Sequence, residues 1–206
     1  MSSSSIRGVI FDLDGTLVDS HLDFDRIRAE MGFEPGVPVL ETIDTLPEKD
    51  AQRCWEILER HEQAGFQRAK LMPGVREVLV ALDQRNILQA LVTRNSRRIA
   101  EATLERFSLR FDPIVAREDA APKPDPEAIE KILALWSFKP DQVAIVGDFR
   151  FDIEAGHRAG VRTVLFTGGR DTTSLARNLM GPEQADFLLE SFEQADKLLA
   201  WLEKPI

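Results

Sequence analysis

The chain has 206 residues, 43% of them hydrophobic, and a formal charge of −9 from 26 Lys+Arg against 35 Asp+Glu. That length fits one medium domain, alone or carrying a smaller insertion, and the apolar content suffices for a substantial core, so disorder is not the default reading. The acidity excludes the basic footprint of a nucleic-acid binder, and an anionic ligand would need a cation or local positive groups at its site.

In chain order, Gly8 to Phe11 is a short β-branched and aromatic run ending in Asp12. It predicts a strand buried on both faces. From about His21 to Met72 the sequence shows two helical patterns and no convincing strand. The first, Asp23 to Met31, is stopped by Gly32; the second starts at Pro47, suited to a first helical position, and runs to about Lys70. Pro35, Gly36 and Pro38 mark the connection between them.

After Pro73-Gly74, helices and strands alternate. Helices are predicted over Val75 to Gln84, Arg97 to Phe107, Pro126 to Leu135 and Ile153 to Ala159. Strands are predicted over Ile87 to Val92, Phe111 to Val115, Gln142 to Val146 and Arg162 to Phe166. Gly168 to Gly181 carries no pattern, Ala185 to Leu189 reads as a last short strand, and Phe192 to Glu203 as a closing helix. Such alternation predicts an α/β fold, a Rossmann-like parallel sheet with helices on both faces. The sheet domain is expected over 1–20 and 73–206, with a small inserted helical cap over 21–72.

Targeting signals are few. Met1 to Ser5 has neither the basic nor the apolar region of a signal peptide, and no apolar run approaches the ~20 residues that cross a bilayer. Cys54 is the only cysteine, so no internal disulfide forms. A cytoplasmic protein without a membrane partner is the expectation.

Chemistry gathers at the predicted strand ends. In Phe11-Asp12-Leu13-Asp14-Gly15-Thr16, two carboxylates stand two residues apart, which on extended backbone sends both to one side. Alone, the segment reads equally well as an acidic turn. Thr93 closes the next strand and offers a hydroxyl and an N–H to a phosphate oxygen, or an N-cap to the next helix. Lys123, between Pro122 and Pro124, is in isolation an ordinary solvated lysine. Gly147-Asp148-Phe149-Arg150-Phe151-Asp152 follows another strand; Asp152 could cap the helix near Ile153, whereas Asp148 at a buried strand end is costly without a partner. Ligands bind beyond the carboxyl ends of the strands in open α/β sheets. Four strand ends thus deliver carboxylates, a hydroxyl and a lysine to one sheet edge, a combination that phosphoryl transfer needs and packing does not.

These residues resemble the haloacid dehalogenase-like hydrolase superfamily, through D-x-D-G-T (Asp12 to Thr16), Thr93, Lys123 and G-D-x-x-x-D (Gly147 to Asp152). The resemblance runs from Val9 to about Phe166 apart from the insertion, and its phosphoglycolate phosphatase-like members carry a small helical cap. It implies a Mg2+-dependent phosphatase acting through an aspartyl-phosphate. Asp12 would be nucleophile and metal ligand; Asp14 the general acid/base and a ligand through its backbone carbonyl. Thr93 would bind phosphate, with Arg94 and Asn95 beside it, and Lys123 would neutralise charge. Asp148 would complete the metal site, with Asp152 as ligand or supporting partner. Arg94 departs from the usual Thr/Ser-Asn pair, and it either reaches the substrate or caps a carbonyl.

Asp14 argues against a dehalogenase, which lacks the second acid. A phosphosugar mutase of the β-phosphoglucomutase kind uses the same two aspartates and stays open. An inactive phosphate-binding protein is less favoured, because every candidate position is filled. The insertion is where substrate choice is expected; His21, Arg26 and Arg28 are weak candidates there, whereas His61 and Cys54, near Trp55 and Leu58, read as packing residues. A small phosphorylated metabolite, such as phosphoglycolate or a sugar phosphate, is the expected partner.

Overall fold

The computed structural model describes residues 5–170 and 184–204. The chain divides into two compact units, residues 1–19 with 71–206 and residues 20–70.

The larger unit holds a six-stranded sheet among the described residues. Its strands are β1 (Gly8–Phe11), β4 (Leu88–Val92), β5 (Ile114–Val115), β6 (Val143–Gly147), β7 (Arg162–Phe166) and β8 (Phe187–Leu189), in the order β5-β4-β1-β6-β7-β8. All the neighbouring pairs are parallel. Side chains alternate between two cores, as a two-residue period requires. Val9, Phe11, Leu91, Ala144 and Val146 pack on one face, and Ile10, Ala90, Val92, Val143 and Ile145 on the other. Helices α4 (Val75–Asp83), α5 (Arg97–Arg106) and α8 (Ala195–Leu202) bury apolar residues on the first face. Helices α6 (Glu127–Trp136) and α7 (Arg150–Ala159) cover the second. This is the expected α/β sheet with helices on both sides.

Several boundaries differ for physical reasons. Regular strand pairing before Ile114 is denied to Pro113, which has no N–H, so β5 is shorter than the expected 111–115. Helix α7 starts at Arg150 rather than near Ile153. Asp152 is therefore its third residue and accepts the Phe149 N–H at 3.1 Å, instead of standing outside as the cap. The closing helix opens with a 3-10 turn over Phe192–Gln194. Of the patternless stretch, residues 171–181 lie outside the described residues. A two-stranded ribbon of β2 (Val18–Asp19) and β3 (Lys70–Leu71) was not foreseen, since two residues carry no periodicity.

The smaller unit is helical and has its own core. Helix α1 (Phe24–Met31) is capped by Asp23, whose carboxylate accepts the Arg26 N–H at 2.9 Å, and ends at Gly32 with φ 80°. Helix α3 (Glu48–Arg68) follows Pro47. Between them lies α2 (Val39–Asp44), a third helix where the prolines suggested only a connection. Pro38 sits before its first residue, where a missing N–H costs nothing. Ile27, Met31, Leu40, Ile43, Cys54 and Leu58 form the buried centre, with Trp55 partly buried against it. Cys54 is thus a packing residue. His61 bonds Glu30 through Nε2 at 2.8 Å, an exposed contact within the unit. Arg28 serves its own unit too, donating to Asp25 at 2.8 Å and to the Val37 carbonyl at 2.8 Å.

Candidate active site

Strand register brings the motifs to one edge of the sheet. Phe11 lies level with Leu91 on one side and Val146 on the other. Asp12, Thr93 and Asp148 therefore emerge within two residues of one line. The Asp12 N–H still donates to the Val146 carbonyl at 2.9 Å, and the Thr93 N–H to the Val115 carbonyl at 3.0 Å. Both residues are consequently fixed by the sheet rather than by a loop.

Lys123 is the centre of the arrangement. Its ammonium donates to Asp12 Oδ1 at 2.6 Å, to Asp152 Oδ1 at 2.5 Å and to the Val92 carbonyl at 3.0 Å. These use all three N–H donors of the group. Asp12 is 7% exposed, Lys123 3% and Asp152 2%, so the lysine is no surface residue despite its unremarkable sequence context. Asp14 lies partly buried beside this group, and its Oδ2 accepts from Asn95 Nδ2 at 2.9 Å. Thr93 Oγ1 accepts the Asn95 N–H at 3.0 Å, and Asn95 Oδ1 accepts the Ser96 N–H at 2.8 Å. Asn95 thus turns back on its own loop and holds the second aspartate of the motif.

Asp12, Asp148 and Asp152 each offer a carboxylate oxygen within 4.8 Å of the others. Burial is the main cause that raises the Asp12 pKa well above the usual carboxylate range, with Asp152 and Asp148 adding to it and Lys123 opposing. Burial, with repulsion from Asp152, pushes Asp148 up to about 6 against the pull of Arg170. Burial works against the charged lysine, yet Asp12 and Asp152 hold the Lys123 pKa above its ordinary value. Three carboxylates against the Lys123 ammonium and one guanidinium, Arg170 on Asp148, leave one negative charge uncompensated when all are ionised. An all-oxygen, carboxylate-rich set with that surplus fits a hard divalent cation, and the group contains no His or Cys to favour zinc.

Two glycines make the close packing feasible. A Cβ on Gly15, whose φ is +85°, would stand 2.4 Å from Asp148 Oδ2. A Cβ on Gly147 would stand 2.1 Å from the Asp152 Cγ. Gly15→Ala is expected to cost about 1–3 kcal/mol in backbone strain and to displace the Asp148 carboxylate. Urea denaturation and cation titration check this; unchanged stability and affinity would show that the contact is not tight.

Arg94 does the second of its two expected things. Its guanidinium donates to the Lys123 carbonyl oxygen and lies over the Phe151 ring at 4.8 Å, joining two loops of the site to the first turn of α7. One residue was missed altogether. Arg170 donates from Nη2 to Asp148 Oδ2 at 2.9 Å. Its only sequence signal is the Thr-Gly-Gly-Arg turn directly after β7, at the same sheet edge.

The sequence profile of the haloacid dehalogenase-like hydrolases matches residues 25–166. The chain belongs to that family. Among haloacid dehalogenase-like relatives, a domain-containing protein of Arabidopsis thaliana is 32% identical, over 96% of this chain and 85% of its own length. A phosphoglycolate phosphatase of Aquifex aeolicus is 30% identical over 80% of this chain and 86% of its own. A hydrolase from Pseudomonas syringae shares the fold with a TM-score of 0.77 at 23% identity, covering 97% of this chain and 100% of that one. The expected enzyme class, a phosphoric monoester hydrolase, accords with the phosphatase names among the relatives. No helix among the described residues is long and apolar enough to cross a membrane.

Proposed function

We propose that this hydrolase is a Mg2+-dependent phosphatase that moves the phosphoryl group of a small organic phosphomonoester to Asp12 and then to water. The observation that carries the reading is the cluster of Asp12, Asp148 and Asp152 around the buried ammonium of Lys123. The Asp12 and Asp148 carboxylates and the Asp14 main-chain carbonyl would hold the cation, with Asp152 as ligand or supporting partner. When bound, Mg2+ supplies charge neutralisation and Lewis acidity at the phosphate.

The chain's own residues do the rest. An Asp12 oxygen attacks phosphorus, a P–O bond to Asp12 forms, and the P–O bond to the leaving alcohol breaks. Asp14, oriented by Asn95, gives its proton to the departing oxygen. Water then attacks the aspartyl-phosphate, Asp14 takes back a proton, and inorganic phosphate leaves with Asp12 restored. Lys123 stays protonated throughout and offsets charge on Asp12, while the Thr93 hydroxyl donates to a phosphate oxygen. Arg94 supports this set through the Lys123 main chain and remains a candidate contact for the substrate. The helical unit over residues 20–70 is assigned to substrate choice, and phosphoglycolate or a sugar phosphate fits the reading. The proposed setting is the cytoplasm.

Phosphate release from p-nitrophenyl phosphate and a panel of phosphorylated metabolites tests the proposal. Turnover is expected with Mg2+ and is expected to disappear in excess EDTA. Full activity in EDTA would remove the metal from the mechanism. Stoichiometric free phosphate supports a hydrolase; a phosphorylated isomer in its place would make the chain a phosphosugar mutase.

A further inference from the structure

After β7 the chain makes a tight turn, Thr167-Gly168-Gly169-Arg170. The two glycines take φ values of 59° and 76°, and the Arg170 N–H returns to the Thr167 carbonyl at 3.0 Å. The same carbonyl also accepts Arg170 Nε at 2.8 Å, while Nη2 reaches Asp148 Oδ2 at 2.9 Å. Thr167 is itself fully buried and its N–H is tied to the Leu189 carbonyl at 2.9 Å. The guanidinium is therefore anchored at one edge to a strand end and presents its other edge to a carboxylate of the acidic cluster.

We infer that Arg170 is a positioning residue for the cation site, holding the Asp148 carboxylate in the orientation in which it takes a divalent metal. The inference rests on the proposed Mg2+ site and adds a residue that no motif of the sequence marks. Three features separate this contact from an ordinary surface ion pair. The Arg170 side chain is 47% exposed, but that of Asp148 is only 13% exposed, so one partner is largely withdrawn from water. The fork is planar and doubly anchored, so it orients as well as attracts. Asp148 also packs so close to Gly15 that a Cβ there would stand 2.4 Å from its Oδ2, which closes that side to the carboxylate. A carboxylate ligand whose second oxygen is held by a fixed donor is the usual outer layer of a metal centre, and loss of that donor weakens metal binding about 10–100-fold.

The test is calorimetric titration of the metal-free full chain with MgCl2, comparing the parent with Arg170→Ala, Arg170→Lys and, as a control, Asp148→Asn. The expected result is a Kd for Mg2+ about tenfold or more weaker in Arg170→Ala. An intermediate value is expected for Arg170→Lys, because an ammonium lacks the fork that spans Thr167 and Asp148. Urea denaturation in EDTA is expected to shift little, because the arginine is half exposed. A Kd in Arg170→Ala within about twofold of the parent, or tighter than it, would overturn the inference and leave the metal reading intact. Loss of metal-free stability matching the loss of affinity would also overturn it, making Arg170 a structural residue. Absence of Mg2+ binding by the parent itself would instead overturn the metal reading, and the inference with it.

Discussion

Lys123→Met is expected to destabilise the metal-free protein by about 3–5 kcal/mol at neutral pH, the largest stability loss at any single position of the site. The ammonium sits between Asp12 and Asp152, both buried, and Asp148 adds a third charge within reach. Removing the cation takes from the buried carboxylates of Asp12 and Asp152 the ammonium they share. The pH dependence follows from the direction of the shifts. Burial already raises Asp12 and Asp148 above the ordinary range, and Lys123 opposes that rise for both, so its removal pushes them further up. The folded variant then binds more protons than the unfolded chain between about pH 4 and the raised values, so its stability grows as pH falls. Lys123 itself is charged in both states at neutral and at mildly acid pH, so the parent has no matching dependence from that group. Urea denaturation in EDTA at pH 7.5 and pH 5 should therefore show a large deficit at the first and a smaller one at the second. An equal deficit at both would refute the charge argument.

Asp12→Asn is expected to lower turnover by on the order of 10^4-fold or more, since the amide offers no anionic oxygen to attack phosphorus. The fold should survive it. Lys123 keeps Asp152 at 2.5 Å, and one of three mutually repelling acids becomes neutral at constant shape. The urea midpoint of the metal-free variant is accordingly expected to equal or exceed that of the parent. Circular dichroism and phosphate release together decide the matter. Residual activity above about a hundredth of the parent would point to another nucleophile.

The sheet was legible because its strands are buried on both faces and read as continuous apolar runs between turn signals. Gly8 to Phe11 is fully buried along its length, and its end is where the first motif begins. Local residues were harder. Helix α2 is six residues long, too short for a 3.6-residue period to stand out beside Pro35, Gly36 and Pro38. The start of α7 was misplaced because Asp152 looked like a cap, whereas it turns inward as the third helical residue and meets both Lys123 and the Phe149 N–H.

The site divides in the same way. Asp12, Asp14 and Asp148 declare themselves by spacing at strand ends. Lys123 does not, since one lysine between prolines says nothing of burial; only the fold brings it 2.6 Å from a residue 111 positions earlier. Arg94 could be read two ways, and its contact with the Lys123 carbonyl shows only in the fold. Arg170 had no reading at all, because its partner Asp148 lies 22 residues away across a helix and a strand.

The chain departs from the sheet unit after Asp19 and is back in it by Leu71, and at that crossing the Met72 N–H meets the Leu17 carbonyl at 2.9 Å. Fifty-odd residues, most of them helical, are thus spliced in at a doorway one hydrogen bond wide. Anything grafted there, from a brief hairpin to an unrelated bundle, need only begin and finish side by side. Asp12 lies five residues upstream of that doorway, so the helical unit leaves and rejoins the sheet unit close in sequence to the first motif.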